Sequence, residues 1–281
     1  MVSTDTRMWC VFVRLYQPQC LDNYMRLEIF TIVLDGMPFI GSHLPVLNSL
    51  GRFGIDWRWT IAEGAAMNRH CTAWCAEQLP RLSSDGTLQY LYSISHHPRV
   101  YFVSRPSWDG KIEQCNWCVQ QIDKPCILLQ MDVDEIWTAE SLAALVDKFE
   151  DETIGEVRIN PRYYVGPNII VTSKGTWGAP KGGLPRAWRF NPGQKFITHE
   201  PPVLDKINGR SIEVEGDHIN PQHYGYVTEA QVRFKEKFYG YPDALARWKW
   251  LQRNKHWPVN LGIFFPWVID GAIVNKLYDR D

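Results

Sequence analysis

The 281-residue chain lacks the marks of export and of membrane insertion. Its N-terminal segment (MVSTDTRMWCVFVRLYQPQC) holds one apolar run, which Arg14 interrupts, and no small-residue cleavage site follows a long apolar region. The longest late apolar stretch, residues 261–274, is broken by Pro266 and Asp270 and is too short to cross a bilayer. A soluble, cytoplasmic protein is expected, without membrane association. Net charge is also lacking. Lys and Arg number 30 against 31 Asp and Glu, which leaves −1 and does not indicate a broad nucleic-acid-binding surface. No internal repeat or low-complexity segment occurs. The seven cysteines are an odd number in a chain without an export signal, which favours reduced thiols. Cys71/Cys75 and Cys115/Cys118 are spaced to share a helix face, and the gap between the pairs does not match a zinc ribbon. No Gly-rich phosphate loop follows the first expected strand, which argues against a nucleotidyltransferase.

What is abundant is aromatic: 13 Trp and 12 Tyr, enough to fill a large core and to leave faces on which a sugar ring could stack. The first half alternates strand and helix patterns. Residues 28–34 (EIFTIVL), 57–62 (WRWTIA) and 99–104 (RVYFVS) read as strands. Residues 39–50, 111–122 and 139–149 read as helices, the last with Thr138 as N-cap. This alternation implies a mainly parallel sheet with right-handed crossovers. Residues 156–165 read as a further strand. Residues 166–202 are dense in Gly, Pro and Trp and read as a long functional loop, not as a central strand. Residues 228–257 read as helical, basic and aromatic. No linker divides the chain, so a single domain over 1–281 is expected, with a nucleotide half (about 25–150) and an acceptor half (151–281).

The most informative stretch is ILLQMDVDEIW, residues 127–137. A short apolar run feeds Asp132 and Asp134, with Glu135 next. Carboxylates at the C-terminal end of a parallel strand stand where open α/β sheets bind ligands. If the strand stays extended, the two aspartates point the same way and call for a divalent cation between them.

In the order of these parts, EIFTIVLDGMPF, WTIAEGAA, GKIEQCNW, DVDE, then HEPP and HYGY, the chain resembles the GT-A class of nucleotide-sugar glycosyltransferases, in particular small bacterial or viral members. The resemblance covers roughly residues 28–241. It implies a Rossmann-like α/β fold and an enzyme of hexosyltransferase type, with inverting stereochemistry. The donor would be a UDP- or GDP-linked sugar and the acceptor a glycan or other hydroxyl compound. The resemblance implies Mn2+ or Mg2+ bridging the donor phosphates, with Asp134 as direct ligand. Asp132 would contact the ribose or reach the metal through water, and His223 would be an additional ligand in preference to His218. It also implies that Glu63 accepts a hydrogen bond from the base and that Asp35 and Gly36 pass close to the nucleoside. Lys111 would neutralise phosphate. An inverting transfer needs a general base. Glu200 is the first candidate, with His199 and Asp217 in reserve. Trp177, Arg186 and Trp188 are candidate acceptor contacts.

Plainer accounts stand beside each of these. The acids would cap the following helix or lie in a solvated turn, Glu63 and Lys111 would be surface residues, and Glu200 would cap a turn before Pro201. Arg233, Lys235 and Lys237 would meet the diphosphate or form a solvated helix face. Two other functions are open. One is a haloacid-dehalogenase-like phosphohydrolase, in which Asp132 is the nucleophile; against it, Ile136 stands where Thr or Val is usual, and three strands precede the motif. The other is a non-catalytic carbohydrate-binding protein on the same scaffold. The basic aromatic stretch 247–257 (RWKWLQRNKHW) would lie on an anionic membrane or, more simply, pack its tryptophans inward. Trp248 and Trp250, two apart, cannot share one helical face.

Overall fold

A computed structural model describes residues 25–67, 79–214 and 218–277. The N-terminal segment, Cys71, Cys75 and Asp217 lie outside the described residues. The first half alternates as its pattern implies: β1 (Leu27–Val33), α1 (His43–Asn48), β2 (Trp57–Ala66), α2 (Thr87–Ile94), β3 (Val100–Trp108), α3 (Lys111–Val119), β4 (Cys126–Gln130), β5 (Glu135–Ile136) and α4 (Ala139–Asp147). The second half adds mostly short strands: β6 (Ile154–Ile159), β7 (Arg162–Gly166), β8 (Ile169–Val171), β9 (Leu184–Phe190), β10 (Phe196–His199), β11 (Pro202–Leu204), β12 (Arg210–Glu213) and β13 (Gln222–His223). Helices α5 (Glu229–Phe238) and α6 (Ala244–Gln252) follow, then β14 (Val259–Asn260) and β15 (Ile273–Lys276).

Seven strands form the main sheet in the order β12-β6-β9-β4-β1-β2-β3. Strand β9 runs antiparallel to both its neighbours, and the other pairs are parallel. Side chains along β1 alternate between two cores, as a period of two requires. Leu27, Ile29 and Val33 join Leu47, Leu91, Leu142 and Leu145 on one face. Phe30 joins Cys115, Val119, Leu128, Trp188 and Phe196 on the other. Helix α4 starts on a capping box, in which the Thr138 side chain accepts from the Ser141 amide and the Ser141 hydroxyl accepts from the Thr138 amide. A second, six-stranded sheet, β14-β15-β8-β7-β13-β5, carries its own core with Trp248 and Leu251 of α6 and Phe265. Among the described residues no helix is long and apolar enough to cross a membrane.

Several expectations need correction. Residues 39–50 do not form one helix: the short α1 sits between 3-10 turns at Phe39–Ser42 and Ser49–Phe53. Gly41, Pro45 and Gly51 interrupt the backbone pattern that the apolar spacing suggests. The strand over 156–165 is two, parted at Asn160-Pro161, where proline offers no ladder donor. The helix over 228–257 is also two; Gly240 and Asp243 take positive φ between them. The largest departure lies within 166–202. It contains β9, a central strand, because Pro185 lies beyond the last pair with β4, Leu129↔Ala187, and so removes no hydrogen bond from that ladder.

Candidate active site

Strand β4 ends at Gln130, and the chain then turns. The Glu135 amide donates to the Asp132 carbonyl (3.0 Å), so Asp132 and Asp134 lie in a tight turn and not in extended strand. Neighbours hold the turn on several sides. Thr31 Oγ1 donates to the Met131 carbonyl (2.7 Å), His43 Nε2 lies 3.0 Å from the Val133 carbonyl, and the Tyr224 amide donates to the Asp134 carbonyl (2.8 Å). Gly36 sits against it. A Cβ there would come within 2.6 Å of both Val133 and Val33, so only glycine lets β1's exit pass this close.

The turn lines one side of a cleft of about 960 Å³. Asp35, Gly36 and Lys111 line it too, together with His199 and Glu200 from the β10–β11 hairpin, His223 from β13, Gln231 and Lys235 from α5, and Tyr163, Trp177 and Arg186. The structure thus brings Asp132, Asp134, Asp35, Gly36, Lys111, His199, Glu200 and His223 into one space, but leaves Glu63 out of it. Glu63 is fully buried, and its carboxylate accepts from the Ser83 amide (2.6 Å) and the Ser104 hydroxyl. Its role here is to tie β2 to β3 and the 83–84 loop. Asp35, at φ 55°, accepts from Arg81 and the Ser84 amide (2.9 Å).

Arg186 organises the acids. Val157 pairs with Ala187 but Arg158 with Pro185, so Arg186 is the extra residue of a β-bulge. Bulges re-aim side chains beside functional sites. Here the guanidinium donates from Nη2 to Asp132 (2.8 Å) and from Nε to Glu135 (2.8 Å). Gln130 Nε2 donates to the other Asp132 oxygen (2.9 Å). Burial alone would raise the Asp132 pKa, but Arg186, His199 and His223 outweigh it and hold the carboxyl well below its ordinary range. Glu135 has no exposed surface, and burial pushes it up to about 8 despite Arg186. Sequence reasoning noted Glu135 only as a neighbour of the aspartates and gave Arg186 to the acceptor. The available signal was Glu135 itself, a carboxylate followed by Ile136-Trp137 and heading for a buried strand.

His223 Nε2 lies 3.4 Å from Asp134 Oδ1, and its Nδ1 lies 3.6 Å from Glu135. That Nδ1 is buried without a hydrogen-bond partner among the described residues. Burial lowers the His223 pKa, so the ring is neutral near pH 7. Gln231 Nε2 reaches the other Asp134 oxygen at 3.4 Å. Adjacent ligands of an octahedral ion with bonds of about 2.1 Å stand about 3 Å apart, so Asp134 Oδ1 and His223 Nε2 fit as two ligands of one cation. Asp132, with both oxygens engaged, fits beside it. Among the described residues no group of three or more His, Cys, Asp or Glu side chains gathers to hold a metal alone. Further ligands would have to come from substrate or water.

Across the cleft Glu200 forms an ion pair with Lys111 and accepts from the Tyr239 hydroxyl (3.2 Å). Burial raises its pKa, Lys111 lowers it further, and the net shift is downward. His199 Nδ1 lies 3.5 Å from the Cys115 sulfur. Burial, then Lys111, lowers its pKa to about 4. Trp177 meets Tyr163 edge-to-face and Tyr226 at a tilt, while Trp188 is fully buried and donates to Glu156 (3.0 Å), away from the cleft lining. Cys115, Cys118 and Cys126 are buried and form no disulfide among the described residues.

No family model matches the chain, and no curated protein matches it. Among solved structures it is similar to the mannosyltransferase PcManGT from Pyrobaculum calidifontis in complex with GDP-Man and Mn2+. The identity there is 18% and the TM-score 0.37, over 50% of this chain and 37% of that one. It is also similar to S. aureus TarS, at 12% identity and TM-score 0.44, over 82% of this chain and 43% of that one. To TarS 1–349 in complex with UDP-GlcNAc the identity is 14% and the TM-score 0.42, over 80% and 72% of the two chains. The chain thus spans less than half the length of the first of these structures. Likeness this shallow says nothing about chemistry, which rests on the cleft itself.

Proposed function

We propose that the protein is a glycosyltransferase of GT-A type, which moves a sugar from a nucleoside-diphosphate donor to a hydroxyl acceptor with help from Mn2+ or Mg2+. The observation that carries this reading is one cleft at the C-terminal end of β4, with the Asp132–Asp134 turn and His223 on one side and a carboxylate, Glu200, on the other. Asp134 and His223 would hold the cation, which when bound neutralises charge growing on the departing diphosphate. Arg186 keeps Asp132 ionised and fixed. Its preferred partner is a ribose hydroxyl or a water of the cation. Asp35 and Gly36 form the wall beside the nucleoside. Trp177 and Tyr163 offer aromatic faces to a sugar.

Glu200 takes the acceptor proton. The acceptor oxygen attacks the anomeric carbon as the bond to the diphosphate oxygen breaks, and its proton passes to Glu200, with inversion as the outcome. Lys111 holds Glu200 ionised, at the cost of making it a weaker base. His199, neutral near pH 7, serves as a hydrogen-bonding group beside it. A single domain spans both halves, since each contributes to the cleft. The phosphohydrolase alternative is not favoured: both Asp132 oxygens are engaged by Arg186 and Gln130, which leaves a poor nucleophile.

The test is release of nucleoside diphosphate from a panel of UDP- and GDP-sugars with Mn2+ present. Metal-dependent turnover of at least one donor, abolished by EDTA, is expected. Hydrolysis of simple phosphomonoesters with no action on any nucleotide-sugar would overturn the assignment.

A further inference from the structure

The cations of the cleft are not equivalent. Lys111 is paired with Glu200. Arg186 is held by Asp132 and Glu135. Arg158 donates to Glu156 (3.1 Å) and to the carbonyls of Gly182 (2.6 Å) and Gly183 (3.1 Å), which tie down the loop before β9. Lys181 is exposed. Lys235 differs from all of them. It lines the cleft, is half-buried, and among the described residues forms no ion pair with a carboxylate. Its ammonium instead lies over the rings of Tyr226 (4.9 Å to the centroid) and Tyr239 (5.8 Å).

Position on α5 explains the placement. Gln231 and Lys235 are four apart and share a helix face. Gln231 touches Asp134, and Tyr239, four further on, touches Glu200. Lys235 therefore stands midway between the turn that would hold a cation and the carboxylate that would take a proton. Arg233 and Lys237, on the other side of the same helix, are exposed. A desolvated ammonium backed by aromatic faces keeps its donors for a ligand, because a ring face attracts the charge yet accepts no strong hydrogen bond.

We infer that Lys235 is the anion anchor of the cleft, binding the diphosphate oxygens of the donor directly and independently of any metal. The inference rests on the nucleotide-sugar reading but assigns a residue that the reading does not require. It deepens the site by giving it two separate holds on the diphosphate, a cation at Asp134 and His223 and an ammonium on α5.

Inorganic pyrophosphate in EDTA is the probe, titrated by calorimetry, because it contains neither sugar nor nucleoside and needs no turnover. Wild type is expected to bind it weakly but measurably. Lys235→Met should weaken binding at least tenfold, whereas Lys237→Met and Arg233→Met, which remove the same charge from the same helix, should change it less than twofold. Equal losses in all three would reduce the effect to net charge and overturn the inference. So would unchanged binding in Lys235→Met, or no pyrophosphate binding by wild type. If Lys235→Met does not fold, Lys235→Arg decides: retained binding supports the anchor, and a folded Lys235→Arg without binding overturns it. A failed donor-turnover panel with this asymmetry intact would sink the transferase reading alone.

Discussion

Replacing Arg186 by Met removes the guanidinium that bridges Asp132 and Glu135 and leaves a half-buried and a fully buried carboxyl group without their cation. Removing one partner of a buried pair costs about 3–5 kcal/mol. Two charge-assisted hydrogen bonds of 2.8 Å are lost here, which places the expectation in the upper part of that range at pH 7. The pH dependence gives a second check. In the wild type the folded pKa of Asp132 is depressed, so its contribution to stability is present above the ordinary value of 3.8 and is lost as pH falls through the folded pKa. Without Arg186, burial dominates and both carboxyls titrate above their unfolded values. Their contribution then reverses, being fully present below the unfolded pKa and lost as pH rises. Glu135, raised to about 8 even with Arg186 present, would rise further. Urea unfolding at pH 3, 5, 7 and 9 should therefore show a deficit that is smallest at pH 3, already well developed at pH 5 and larger still at higher pH. The double variant with Glu135→Gln should recover part of it. A deficit below about 1 kcal/mol at every pH would refute a buried, charge-balancing Arg186.

Three further outcomes follow from named contacts. Glu200→Gln should lower turnover by about 10² or more, the usual scale for a general base, while leaving nucleoside-diphosphate affinity unchanged in calorimetry; near-normal turnover would move the role to His199 or Asp217. His43 is buried and desolvation lowers its pKa to about 4, so the stability it contributes is present above 6.5 and lost as pH falls through 4. That is worth about 3 kcal/mol, and unfolding free energies should fall more steeply from pH 7 to 4 in wild type than in His43→Gln; parallel curves would contradict it. Trp248→Ala should cost about 3–5 kcal/mol in urea unfolding, because a buried indole is removed, whereas Trp250→Ala, at an exposed position, should cost less than about 1.

Much of the first half was legible because its signals are local. The apolar runs of β1, β2 and β4 and the Thr138 cap are each contained within a few residues. β9 was not legible, since its Pro185 and flanking glycines read as loop, and only pairing with β4 and β6 turns LPRAWRF into a central strand. The Arg186 site was hidden for the same reason: its partners lie 51 and 54 residues upstream, and a bulge, invisible in one sequence, turns it toward them. The convergence of Asp132, Asp134, His223 and Glu200 was legible as residue types by way of a family resemblance, but not their pairings. Glu63 shows the opposite failure. A strand-end acid that fits a nucleoside contact by position is engaged by two internal donors. Trp248 and Trp250 followed from helix geometry alone, one face inward and one outward.

The most direct test of the account is calorimetric titration of UDP and GDP, with Mn2+ and with EDTA, into wild type and Asp134→Ala. The account predicts that one nucleotide binds wild type at least tenfold tighter with Mn2+. Asp134→Ala, still folded, should lose that gain and retain the weaker affinity seen in EDTA. Nucleotide affinity that is the same with and without Mn2+, or a Mn2+ gain that survives Asp134→Ala undiminished, would contradict the claim that this turn holds a cation for a diphosphate.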